Sequence, residues 1–334
     1  MAGITLFLWV GLLSALFALV VCGSTMLGIS PKPAAILIKY AFNRGSDAMS
    51  AALVKHVPPG VISTLDERYD ANDGDALLDV FYPSKVVNTD AVLPVVVWVH
   101  GGGWVSGDKS QVANYLRILA SKGYTVVGVN YAIAPNKTYP VPIRQVNSAL
   151  AYLQANAKRL HIDSSRFFLA GDSAGAQIAA QVANIVSVPS YAQKLGIQPA
   201  IERGQLRGVI LYCGAYDAKL ITFNGPIGVF MKTVLWTYAG KIDFVTDPQF
   251  QTASIIDFVT PAFPPTFISV GNGDPLAPQS RAMAQALEKH GVKVDGLFFP
   301  ETHKTALPHE YQFNLDTEIG WQALDSSLRF ISRP

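Results

Sequence analysis

Short runs of β-branched and aliphatic residues recur along this chain, each separated from the next by a stretch of helical character. Val95 to Val99 is apolar without alternation, the pattern of a strand buried on both faces. Tyr124 to Asn130, Arg166 to Leu169, Leu206 to Tyr212, Thr266 to Val270 and Val294 to Phe299 read as further strands. Leu77 to Tyr82 adds a short one after the turn Asn72-Asp73-Gly74. Helices are expected over Gln111–Ser121, Ile143–Arg159, from the residues after Leu169 through Ile185, over Ala282–His290, and from about Gly320 to Ile331. Strands that alternate with helices need crossover connections, so the spacing predicts an α/β fold with a mostly parallel central sheet flanked by helices.

Two stretches break the rhythm. Residues from about 219 to 265 carry Phe230, Trp236, Phe244, Phe250 and Phe258 among several prolines, and read as a cap insertion over the site. Ala34 to Val57 reads as a helix with Ile36, Leu37, Tyr40 and Ala41 on one apolar stripe, ended by Pro58-Pro59-Gly60. It either packs on the domain or acts as a lid. The 334 residues therefore divide into an N-terminal segment at 1–30, a helical linker or lid at 31–60, and one large domain at 61–334.

Ile4 to Leu27 is almost wholly apolar, and no charged side chain precedes Lys32. As a helix it would be about 36 Å long at 1.5 Å per residue, enough for a hydrocarbon core of about 30 Å. A cleaved signal peptide would show a basic start and a shorter apolar core. An uncleaved, single-span membrane anchor is the expectation, ahead of a signal or a buried helix. Lys32, Lys39 and Arg44 follow the span, which by the positive-inside rule puts the domain on the cytoplasmic side. Three charges leave that topology open.

The formal net charge is +2 with no like-charge runs, so a nucleic-acid partner is not expected. Cys22 lies in the apolar run and Cys213 in an expected core strand. Both read as small buried hydrophobes rather than a disulfide pair. No Cys, His and carboxylate group has metal-ligand spacing, so no metal site is expected.

Chemistry concentrates in a few motifs. Gly171-Asp172-Ser173-Ala174-Gly175 follows a strand and opens a helix, the context in which a sharp turn exposes a nucleophilic serine. His100-Gly101-Gly102-Gly103-Trp104 follows the strand ending at Val99. Consecutive glycines let backbone N–H groups approach a developing oxyanion. Gly101 and Gly102, with Ala174, are the expected donors, and His100 is expected to brace the loop. Serine needs a base oriented by a carboxylate. Asp274, in Gly271-Asn272-Gly273-Asp274-Pro275-Leu276 after the strand ending at Val270, is the expected acid, with Asp217 as its rival. The base lies beyond the last strand, and geometry alone leaves His303 and His309 both open.

The combination of HGGGW, GDSAG and GNGDPL, in that order, resembles the hormone-sensitive-lipase-like branch of the α/β-hydrolases, which includes bacterial carboxylesterases. The resemblance runs from about Leu77 to Phe330. It implies a serine hydrolase of the α/β-hydrolase fold that acts on a small-molecule ester through an acyl-enzyme, without cofactors. It also places the base in a His-x-Phe-like element before the last helix. The segment His309-Glu310-Tyr311-Gln312-Phe313 looks like a longer version of that element, which favours His309. Two departures stand out: Ala132 and Asn136 replace an Arg and a Glu of many relatives, and Ala176 replaces a glycine. Amide hydrolysis on the same machinery is the alternative, followed by a non-catalytic small-molecule binding protein on the same scaffold.

Overall fold

The computed structural model describes residues 23–25 and 27–333. Helix α1 (Lys32–Leu53) precedes the sheet. The strands are β1 (Val61–Arg68), β2 (Leu77–Pro83), β3 (Leu93–Val99), β4 (Thr125–Val129), β5 (Ile162–Asp172), β6 (Leu206–Tyr212), β7 (Thr266–Val270) and β8 (Val294–Phe298). The later helices are α2 (Lys109–Ala120), α3 (Val141–Ala155), α4 (Ser173–Ser187), α5 (Pro189–Leu195), α6 (Gly225–Ala239), α7 (Ala277–Lys289) and α8 (Glu318–Ile331).

The strands form one sheet in the order β1-β2-β4-β3-β5-β6-β7-β8. β1 and β2 pair antiparallel, as do β2 and β4, and every pairing from β4 through β8 is parallel. β3 shows why its sequence is apolar throughout. Val95, Val97 and Val99 enter the core formed with α3 and α4, while Val96 and Trp98 enter the opposite core formed with α2 and α8. Each such side chain contributes about 1.5–3 kcal/mol by leaving water. α4 is buried from Ala174 through Ser187, which is why it reads as apolar nearly all round.

Short polar anchors tie the loops to this frame. Asp108 caps α2, accepting from the Ser110 N–H at 2.8 Å, and Gln111 completes a capping box. The Asn130 side chain, just past β4, donates to Asp108 and accepts from the Lys109 N–H. The Lys109 ammonium lies between Asp66 and Asp79, at 2.7 and 2.8 Å, with Asp79 buried. At the departure noted above, the Ala132 N–H donates to Gln145 Oε1 at 2.7 Å.

Several elements differ from expectation. β1 is an extra strand; as a half-exposed edge it carries a mixed sequence, and its pairing with β2 shifts between Thr64 and Glu67. The stretch at 219–265, read from the sequence only as a cap, holds elements the sequence rhythm did not show: α6 and two short 3₁₀ turns, Phe250–Ala253 and Ile255–Asp257. Cys213 lies one residue past β6 rather than inside it. The expected membrane span at 4–27 falls almost wholly outside the described residues. Among the described residues, no helix is long and apolar enough to cross a membrane.

Candidate active site

Parallel strands that end at one edge deliver their following loops to the same place. The loops after β3, β5, β6, β7 and β8 meet there. Ser173 sits at the β5–α4 junction with φ +51°, a left-handed conformation that costs energy in a residue with a side chain. Gly175 makes this turn possible: a Cβ there would stand 2.0 Å from the Val99 carbonyl oxygen.

His309 Nε2 lies 3.0 Å from Ser173 Oγ, and His309 Nδ1 lies 2.7 Å from Asp274 Oδ2. Asp274 is buried, and its second oxygen accepts the Leu276 N–H at 2.7 Å. The loops that carry the acid and the histidine are bonded to each other. The Gly273 N–H donates to the Leu307 carbonyl at 3.0 Å, and the Leu307 N–H donates to Asn272 Oδ1 at 2.9 Å. The rivals stand elsewhere. Asp217 caps the 3₁₀ turn at 218–220 through the Lys219 N–H. His303 bonds the Thr305 carbonyl through Nδ1 and packs edge-on against Phe299.

Of the expected oxyanion donors, Gly101 requires a correction. Its N–H donates to Asp172 Oδ2 at 2.8 Å in a buried bond, so it has no proton to offer a substrate. Gly102, Gly103 and Ala174 line the cavity beside Ser173. Among the described residues, no protein acceptor takes the Gly102 or Gly103 N–H, and Ala174, in the first turn of α4, has no intrahelical acceptor. Gly102 adopts φ +114°, and a Cβ on it would stand 2.3 Å from the Ser106 carbonyl oxygen. The Ser106 hydroxyl and N–H both donate to the Gly102 carbonyl. Buried His100 bonds the Gly101 carbonyl and stacks on Tyr131, whose hydroxyl donates to the His100 carbonyl. Burial holds its imidazole below the usual pKa, toward the neutral form.

Sequence reasoning did not find three neighbours of this site. Asp172 is buried, accepts the Trp98 indole N–H at 2.7 Å, and contacts the Glu310 carboxyl. Burial and the negative Glu310 push its pKa well up, against the pull of the two N–H donors. Glu310 in turn approaches His309 Nε2 to 3.8 Å. Cys213 completes the group, with Asp274 and His309. One ligand-type atom of each lies within 4.8 Å of the others. Burial pushes the thiol up, away from the thiolate that a metal takes as ligand. Both His309 nitrogens already face Ser173 and Asp274. The arrangement therefore suits a base held by an acid better than a metal. Burial works against a charged His309 ring, but Asp274 and Glu310 favour it, and its pKa rises well above the usual value. Asp172 and Glu310 stand beside the expected serine and histidine in the sequence, but their contact across the sheet edge shows only in the fold.

The cavity in front of Ser173 has a volume of about 710 Å³. Phe42 and Met49 of α1 and Phe230, Met231 and Val234 of α6 form its apolar wall, and the Phe42 and Phe230 rings lie 5.6 Å apart. A serine at a strand–helix turn, faced by a histidine and a carboxylate from later strand ends, is the plan of an α/β-hydrolase. The chain belongs to the alpha/beta hydrolase fold family, whose profile matches residues 96–306.

A carboxylesterase-family profile also matches residues 49–136. The chain is 26% identical over 245 residues to an esterase of Gibberella moniliformis, covering 72% of this chain and 74% of that one. It is 29% identical over 236 residues to the esterase LipQ of Mycobacterium tuberculosis, covering 69% and 53%. The chain thus spans little more than half the length of some curated relatives it matches. Among solved structures, Esterase B of Lactobacillus rhamnosis superposes with a TM-score of 0.76 at 24% identity, covering 89% of this chain and 94% of that one, a likeness of fold.

Proposed function

We propose that this protein is a carboxylic-ester hydrolase with Ser173 as nucleophile. The hydrogen-bonded line from Asp274 through His309 to Ser173, opening on an apolar cavity, carries the reading. The Ser173 hydroxyl attacks the ester carbonyl as His309 Nε2 takes its proton. Asp274 accepts a hydrogen bond from the Nδ1–H, fixing the tautomer and stabilising the imidazolium. Gly102, Gly103 and Ala174 donate to the oxyanion, each N–H contributing about 3 kcal/mol of barrier lowering. His309 then protonates the departing alcohol, and water, deprotonated by the same ring, releases the acid. The esterase relatives support an ester over an amide.

The test is hydrolysis of p-nitrophenyl esters across a range of acyl lengths. Ser173→Ala and His309→Ala are each expected to lower kcat about 10⁴-fold or more, while His303→Ala leaves it near wild type. A wild-type protein inert on every ester would overturn the assignment. A dead His303→Ala variant would move the base.

The same proposal places a single-span membrane anchor at residues 4–27, supported by the apolar sequence there. In alkaline carbonate extraction, the full chain is expected to stay in the membrane pellet. Release to the supernatant would rule the anchor out.

A further inference from the structure

Exposed apolar side chains are not spread evenly over this molecule. Among the described residues, sixteen large apolar side chains are exposed, and eleven of them fall within residues 27–42 and 220–245. These two stretches adjoin in space. A Cβ at Gly28 would stand 3.0 Å from Ile242 Cδ1, and Phe42 meets Phe230. Their inner ends, Ala41 and Phe42 on one side and Ile227 and Phe230 on the other, line the cavity in front of Ser173, while Ile36 and Ile242 stand outside it. Along α1, Leu37, Ala41, Gly45 and Met49 recur at helical spacing, so one stripe runs from the exposed half of the helix to the cavity lining. The opening of the site is thus framed by an apolar rim. Contiguous exposed apolar surface of this kind marks an interaction site.

The sequence indicates what covers it. The apolar stretch Ile4 to Leu27 leads within a few residues into α1, at the rim itself. Lys32 and Lys39 are exposed on the same helix and make no ion pair among the described residues, and Tyr40 stands exposed beside them. Basic and aromatic side chains around an apolar face suit the headgroup layer of a bilayer.

Resting on the esterase reading above, we infer that α1 and the 220–245 segment seat the mouth of the site in a lipid bilayer, so that long-chain acyl esters enter from the bilayer rather than from water. An ester held among lipid tails would pass from apolar surroundings along the α1 stripe to the apolar cavity without exposing its chain.

The experiment uses the full chain in phosphatidylcholine–phosphatidylglycerol nanodiscs. An environment-sensitive fluorophore is attached at Tyr40→Cys in a Cys22→Ser background, with a control at Val92→Cys, on the loop entering β3 at the opposite edge of the sheet. The Tyr40 label is expected to shift to the blue and to be quenched by doxyl-lipid, and the Val92 label to remain as in water. A Tyr40 label as wet as the control overturns the inference. So does a shifted label without lipid quenching, which would mean that a second copy or the chain's own N-terminal segment covers the rim.

Activity gives the second arm. Ile36→Glu with Ile242→Glu is expected to lower turnover of a bilayer-resident palmitoyl ester about tenfold, while hydrolysis of a dissolved butyryl ester stays near wild type. Equal change in both, or in neither, overturns entry from the bilayer. If wild type cleaves neither ester, the esterase reading fails, and lipid quenching at position 40 still decides the rim by itself.

Discussion

His309 holds the balance of charge in this site. It acts as a base only when neutral, yet Asp274 and Glu310 favour its charged form enough to overcome burial. Its pKa lies above the ordinary histidine value, so activity falls as pH drops through a point above about 6.5. Removing one of the carboxylates should move that point down. In Glu310→Gln, the acid limb of kcat/KM for a dissolved ester is expected at lower pH than in wild type. A limb that stays put would mean that Glu310, at 3.8 Å, has no electrical hold on the ring. The residue scale also shows where sequence runs out. Ser173 and Asp274 are legible because chain order and strand ends constrain them, whereas chain order leaves His303 beside His309 and only the family resemblance favours His309. The Gly101 N–H is not legible, because its acceptor, Asp172, lies 71 positions away and belongs to another motif. Both motifs look complete by themselves; only their contact shows that one glycine holds the other loop.

At the scale of elements, legibility follows burial. β3 and β6 are covered on both faces, so their sequences contain little but apolar residues and announce a strand. β1 is a partly exposed edge, and VISTLDER carries neither a clean alternation nor an apolar run. α6 is apolar on most sides, since it faces the cavity with one side and the core with another, and helical periodicity fades where every face is greasy. The joint between α2 and the antiparallel strands is a place where one element depends on another. Lys109 is the cation beside buried Asp79, whose carboxylate otherwise has the Asp66 N–H at 2.8 Å. Lys109→Ala would strand that carboxylate and is expected to destabilise the fold by about 3–5 kcal/mol, read from urea unfolding midpoints. Lys109→Met with Asp79→Leu should recover most of the loss. A single variant as stable as wild type would show that the pair carries no such weight.

Across the whole molecule, two bodies of structure meet at Ser173. One is the sheet with its strand-end loops, which fixes the reacting atoms through backbone bonds such as those between the 271–274 and 307 segments. The other is α1 and the 220–245 segment, which surrounds whatever is bound. Neither of these contributes a strand to the sheet. The consequence is evolutionary. On the proposed ester chemistry, replacements at Phe42 or Phe230 are expected to change which acyl group fits without touching the hydrogen bonds that align Ser173, His309 and Asp274. A lineage built this way can diversify its diet by trial at the wall while inheritance guards the chemistry. Selection for new substrates at α1 and the 220–245 segment then acts apart from selection for a working catalyst, and only lining residues beside the acid and the histidine, such as Leu276 and Glu310, fall under both.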